Sequence, residues 1–345
     1  MRRLNFSRTN GDIDIAIDTL IDAAGQVCCP DLVREMIIAA LKAGQESGDR
    51  SDLKLMNTTM KEMRITTRIF GPYRQVRKVT VFGSARTKPQ EPVYQMAVEF
   101  GRRLAEEGFM VITGAGGGIM EAANIGAGPG MSFGVNIRLP FEQRANDALE
   151  GNPRLITYKY FFNRKVAFLR EACAIALFPG GFGTLDEAME TLTLMQTGKA
   201  TPMPLILIDE PGGTYWEKWI HFFHDELLAQ GYVSDGDFHL FERVDTVESA
   251  VAAVRKYYRR FHSIRYVDGL PVVRMQKPLP EGAIEELQAR FQDMLLPGGT
   301  IRTIGQLPAE ADEPELADLP RLVLDFNRFD FGRLKSFVEA LNDYA

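Results

Sequence analysis

The sequence predicts an α/β fold: a doubly wound parallel sheet with helices on both faces, a helical N-terminal extension and a small C-terminal α+β unit. Three stretches predict it. In each, an apolar run of strand length ends in a cluster of small residues, and helical spacing follows. They are Lys78–Phe82 with Gly83-Ser84-Ala85-Arg86, Phe109–Thr113 with Gly114-Ala-Gly-Gly-Gly118, and Ala174–Phe178 with Pro179-Gly-Gly-Phe-Gly-Thr184. Ligands of such a sheet lie at the carboxyl ends of the strands, where the three turns gather.

Residues 1–75 read as helical and accessory. Ile13, Ile17, Leu20 and Ile21 recur at helical spacing up to Gly25. Asp31–Gln45 repeats the pattern through Leu32, Met36, Ala39 and Ala40, and a third segment runs from Ser51 towards Gly71-Pro72. Its Met56, Met60 and Met63 suit helix packing.

The main domain, 76–261, adds to the three strands a helix through Tyr94, Ala97, Phe100 and Leu104, another over Ile119–Ile125, and a strand over Ser132–Leu139. A helix carrying Arg164, with Phe161, Val166, Phe168 and Leu169 as its apolar face, leads into Ala174–Phe178. After that strand the spacing Leu185, Ala188, Met189, Leu192, Met195 is helical. Pro204–Asp209 reads as a strand, and Tyr215–Leu228 and Val247–Phe261 as helices. In 262–345, Asp268-Gly269 reads as a hairpin turn into Pro271–Met275. A helix over about Glu281–Met294, strands at Thr300–Leu307 and Arg321–Phe326, the acidic loop Pro308–Pro320 and a helix over Phe331–Asn342 complete the chain.

Composition narrows the function. The chain has 345 residues, 45% hydrophobic and 25% charged, enough for two or three folded units with a sizeable core. A net charge of −6 speaks against a nucleic-acid binder held by phosphate contacts. The basic, aromatic run Arg255–His262 is a local exception that reads as a helix end with cations near its C-terminus. Cys28, Cys29 and Cys173 offer no disulfide framework and no zinc spacing. His221 and His224 stand i, i+3 without a third ligand, so no metal is expected. With no signal peptide and no membrane-length apolar run, a cytoplasmic protein is expected.

The chemistry concentrates after Ala174–Phe178. A glycine turn between a strand and a helix start leaves amides free at the positive end of the helix dipole, an anion site that phosphate suits. Thr184-Leu-Asp-Glu187 also has the form of a capping box, with Glu187 reaching back to the turn. Three glycines are more than a cap needs. The dinucleotide fingerprint fails, because its third glycine falls on Ile119 or Glu121 and no acidic residue follows at ribose distance. No Gly-x4-Gly-Lys-Ser/Thr loop exists. The sheet therefore suits a mononucleotide or sugar phosphate, with no cofactor.

Gly83–Arg86, Gly116-Gly-Gly-Ile-Met-Glu-Ala-Ala-Asn124, Phe161-Phe-Asn-Arg-Lys165 and Pro179-Gly-Gly-Phe-Gly-Thr-Leu-Asp-Glu187 together resemble the LONELY GUY (LOG) family, whose members were often labelled "possible lysine decarboxylase". The resemblance covers about residues 76–260. It implies a Rossmann-like homodimer that hydrolyses nucleoside 5′-monophosphates, AMP-like or cytokinin riboside monophosphates, to free base and ribose 5-phosphate. It matches the family's catalytic pair to Arg164 and Glu187. Substrate contacts map to Gly83, Ser84, Gly116, Gly117, Gly118, Glu121, Lys165, Gly180, Gly181, Gly183, Thr184, Asp186 and Thr193, with Glu142 as a further acidic contact. The same fold also carries molybdenum cofactor in non-catalytic carriers, which is the alternative expectation. No lysine stands in a pyridoxal-phosphate setting; Lys165 and Lys199 are ordinary candidates.

Overall fold

The structure is a computed structural model and describes residues 9–46, 48–139 and 144–344. It divides into two compact units, Met1–Arg64 and Ile65–Ala345. In the first, α1 (Asp12–Ala24), α2 (Pro30–Glu46) and most of α3 (Arg50–Phe70) form a small helical cluster. Its core is Ile17, Ile21 and Ile38, and the buried Arg34 pairs with Asp14 across α1 and α2.

The larger unit is built on seven parallel strands: β1 (Lys78–Phe82), β2 (Met110–Thr113), β3 (Ser132–Ile137), β4 (Leu155–Tyr158), β5 (Ala174–Leu177), β6 (Leu205–Ile208) and β7 (Glu242–Val244). Their order is β4-β3-β2-β1-β5-β6-β7, every neighbouring pair parallel. The direction of winding reverses between β1 and β5, which makes this the switch point of a doubly wound, Rossmann-like sheet.

Strand alternation sorts β1 between two layers. Val79 and Val81 join the core formed with α4 (Pro92–Glu106), α5 (Ile119–Ala127) and α9 (Val247–Tyr257). On the other face Phe82 meets Phe168 of α6 (Phe161–Glu171) edge-on at 4.6 Å, and the Thr80 hydroxyl donates to the Phe168 carbonyl. The second face also carries α7 (Phe182–Gln196) and α8 (Tyr215–Phe222), which continues as a π-helical turn over Phe223–Leu228. Helix α9 ends at Tyr257, and Phe261 already belongs to the next strand. Arg255 and Lys256 occupy its last turn, where cations offset the helix dipole.

The edge strands β4 and β7 gave no signal in the sequence. β7 is three residues long with Glu242 and Arg243 in it, so it lacks the apolar run of a buried strand. In 261–344 the antiparallel order is β10-β11-β9-β8, from β8 (Phe261–Val267), β9 (Leu270–Met275), β10 (Ile301–Ile304) and β11 (Arg321–Leu324). Helices α10 (Ala283–Arg290) and α11 (Phe331–Leu341) share its core. The acidic loop 308–320 inserts Glu310, fully buried, between Arg274 and Arg321. No described helix is long and apolar enough to cross a membrane.

Helices α4 and α5 approach at backbone distance. A Cβ on Gly126 would lie 1.9 Å from the Val98 carbonyl oxygen, and one on Gly101 2.3 Å from that of Ala123. Gly126→Ala is therefore expected to cost about 1–3 kcal/mol. The urea midpoint reads it, and an unchanged midpoint would mean the helices stand further apart.

Candidate active site

The carboxyl ends of β1, β2 and β5 deliver three turns that touch through backbone. The Ser84 amide donates to the Pro179 carbonyl at 3.0 Å, and the Ser84 carbonyl accepts from the Ile119 amide at 3.1 Å. One residue thus joins the β1 turn to both neighbours. Side chains have no room here. A Cβ on Gly83 would sit 2.7 Å from Ile119, and one on Gly118 2.2 Å from the Ser84 oxygen. On Gly180 it would fall 2.2 Å from Thr184 Oγ1 and 3.0 Å from the Gly83 carbonyl carbon.

Helix α7 starts at Phe182, three residues before the apolar spacing begins. Gly181 is its N-cap, without a side-chain cap. The expected capping box is thereby corrected: Thr184 and Glu187 lie inside the helix and are buried. The glycines let the chain enter the helix directly from Pro179, so Glu187 is not consumed at the terminus. The amides of Phe182 and Gly183 have no acceptor among the described residues, while those of Thr184 and Leu185 bond to the Gly181 carbonyl. Two free amides at the positive helix end can hold a phosphate oxygen.

Glu187 is 7% exposed and faces α6. Burial pushes its carboxyl up to about 7, although Lys165 and Arg164 both pull it down. Lys165 Nζ stands 3.8 Å from Glu187, but 2.9 Å from Asp186 and 2.5 Å from Glu190. The Arg164 Nε donates to the Val135 carbonyl at 2.8 Å, which carries the guanidinium over the ends of β2 and β3. Gly114 is required there, since a Cβ would lie 2.2 Å from Arg164 Nη2. Burial lowers the Arg164 pKa, and the Glu187 charge opposes that. The buried stripe of α6 is Asn163, Ala167 and Phe168. Phe161, the first residue of the helix, and Val166, both expected on its apolar face, are exposed.

Thus Gly83, Ser84, Gly180, Gly181, Gly183 and Thr184 gather at one point, with Gly116, Gly117 and Gly118 in the adjoining turn. Arg164, Lys165, Asp186 and Glu187 form the charged wall. Glu121 engages the Tyr94 hydroxyl of α4. Thr193 is not brought to the turn: it lies nine residues beyond Thr184, about 14 Å along the helix, exposed, with its hydroxyl on the Met189 carbonyl. Glu142 lies outside the described residues.

Three supporting groups escaped sequence reasoning. The Tyr215 hydroxyl donates to the Gly180 carbonyl at 2.6 Å. Asn146 donates to the Gly116 carbonyl and to Asn124, which also accepts from Thr113. Glu190 completes the Lys165 cluster. Only Glu190 carried a signal, its spacing of three from Glu187.

Residues 117–254 match the family model described as "Possible lysine decarboxylase". Among curated proteins, the chain is 27% identical over 187 residues to a rice (Oryza sativa) protein named "Probable cytokinin riboside 5′-monophosphate phosphoribohydrolase". That match covers 52% of this chain and 78% of the relative. It is 25% identical over 194 residues to a cytokinin riboside 5′-monophosphate phosphoribohydrolase of Arabidopsis thaliana, covering 54% and 85%. Among solved structures, it is similar to the molybdenum cofactor binding protein of Rippkaea orientalis at 19% identity and TM-score 0.37, covering 52% and 93%. The molybdenum cofactor carrier protein of Chlamydomonas reinhardtii is similar at 21% and 0.37, covering 52% and 97%.

The Glu187 carboxyl should titrate near 7 when followed by carboxyl carbon NMR of glutamate-labelled protein, well above an exposed glutamate. Lys165→Met removes a cation that favours the charged form, so the midpoint should rise further. A midpoint in the ordinary carboxylate range would mean that Glu187 is solvated.

Proposed function

We propose, from the premise that its central domain belongs to the LOG family, that this protein hydrolyses the N-glycosidic bond of nucleoside 5′-monophosphates to free base and ribose 5-phosphate. The observation that carries the reading is the pairing on α7: unsatisfied amides at its first residues and a buried carboxyl, Glu187, one turn further in.

An anionic 5′-phosphate on the Phe182 and Gly183 amides fixes the sugar against that turn. Position is then the larger part of catalysis, since the reacting bond is held beside its catalytic group. Cleavage passes through an oxocarbenium-like state, whose positive charge the Glu187 carboxylate stabilises. As water attacks the anomeric carbon, the C–N electron pair leaves with the base. Glu187 accepts the proton that the water loses, and the departing base takes one up. Arg164, across from Glu187, balances the anionic substrate. The working form of Glu187 is the carboxylate, so kcat/KM falls on the acid side of about 7. The pKa is raised, and protonation therefore removes the base while the fold persists.

The surface around the site is apolar. Phe161, Phe162, Val166 and Met189 are exposed, and Phe182 is 94% exposed. These side chains support a homodimer in which a second copy covers them. Phe182→Ser should then raise the monomer fraction in sedimentation, whereas an unaltered dimer would place the interface elsewhere.

The main test is incubation with AMP, GMP, CMP and a cytokinin riboside monophosphate, followed by chromatography for free base. Base and ribose 5-phosphate are expected from the monophosphates and nothing from the nucleosides. Nucleotide that is bound but recovered intact would instead favour a carrier of nucleotide or molybdenum cofactor. Glu187→Gln should lower kcat by about 10²–10⁴ with KM changed little; retained turnover would remove Glu187 from the mechanism.

A further inference from the structure

We propose that Glu190 is a positioning residue: with Asp186 it draws the Lys165 ammonium away from Glu187, leaving the Glu187 carboxyl with the longest of the three ion pairs. Its catalytic meaning rests on the hydrolase reading, but the geometry is tested separately.

Helix α7 presents three carboxylates to one ammonium, and they divide it unequally. Glu190 and Asp186 stand 2.5 and 2.9 Å from Lys165 Nζ, in close ion-pair contact, while Glu187 stays at 3.8 Å. The outcome is the reverse of what burial alone favours. The Glu187 side chain is 9% exposed and Asp186 58%, so a pair with Glu187 lies in the lower dielectric and is the less screened. What offsets this is the second partner: Glu190, one turn on, faces the ammonium together with Asp186. Arg164 acts on Glu187 at longer range: among the described residues it forms no ion pair with it, and its Nε donates to the Val135 carbonyl. The charged groups bearing on Glu187 are Arg164 and Lys165 from α6 and Asp186 and Glu190 from its own helix. The first two favour its carboxylate and the last two oppose it.

Removing the Glu190 charge therefore acts twice in the same direction. It deletes a like charge near Glu187, and it frees Lys165 to close on the buried carboxylate. Both lower the proton affinity of Glu187.

The experiment is carboxyl carbon NMR titration of Glu190→Gln in the full chain, with the Glu187 signal assigned by its loss in Glu187→Gln. The midpoint should fall by about one unit or more from the wild-type value. Glu190→Asp, which keeps the charge, should fall less. Adding Lys165→Met to Glu190→Gln should return the midpoint upward, since the ammonium is the agent. In the nucleotide assay the acid limb of kcat/KM should move down with the midpoint, so that turnover well below neutral pH rises by about tenfold for a one-unit fall. An unchanged or raised midpoint in Glu190→Gln overturns the proposal. A lowered midpoint in a protein that cleaves no nucleotide upholds it and removes the hydrolase reading instead.

Discussion

The site depends on three chain reversals meeting through main-chain atoms alone. Ser84 supplies the contact, donating to one turn and accepting from another. The glycines around it are there because neighbouring atoms occupy the volume a Cβ would need: the Ser84 and Ala85 backbone at Gly118, the Ile119 side chain at Gly83 and the Thr184 side chain at Gly180. Parallel strands do not bring such turns together by themselves. The switch between β1 and β5 does, because helices leave the sheet on opposite faces there and open a crevice between them.

Electrostatics follows from that packing. Glycine turns let α6 and α7 come close enough for their charged residues to meet, and the meeting is crowded. Two cations face three carboxylates, and only Asp186 among the acids is mostly exposed. A buried carboxyl whose ion pair is long retains its proton to higher pH than a solvated one. The same chain treats another buried acid in the opposite way. Glu310, clamped by Arg274 and Arg321, is held below the ordinary glutamate range. The Leu307 amide, which donates to Glu310, and the direct guanidinium contacts separate the two: the clamped group serves as a structural fastener and the unclamped one can exchange a proton.

Much of this was legible in the sequence. The parallel sheet, without its edge strands β4 and β7, followed from runs such as Val79–Phe82 and Ala174–Leu177, apolar throughout and soon ended by glycine, a pattern that needs no tertiary knowledge. The pairing of Arg164 with Glu187 came from resemblance, since nothing in either local spacing says that α6 lies against α7. The start of α7 was misplaced because Phe182 and Gly183 carry no apolar periodicity; the helix begins there for reasons of backbone geometry. Thr193 shares the helix that the glycine turn starts, and only the rise per residue shows how far from the turn that helix carries the side chain. Glu310 sits in a stretch whose composition reads as an acidic, proline-bearing loop, and its burial depends on arginines of two strands, Arg274 36 positions before it and Arg321 11 after it.

The lacing of the turns has a consequence for how such a site can diversify. Positions 83, 118 and 180 admit no side chain, and Ser84 contributes through its backbone, so none of them offers variation that a ligand would feel. Variation in what the site accepts then falls to the open positions of the same turn, Gly181 and Gly183, and to outward groups such as Phe182. The tightly packed turns thus set where change is tolerated: at the open positions and outward groups, and not at the contacts that hold the three reversals together.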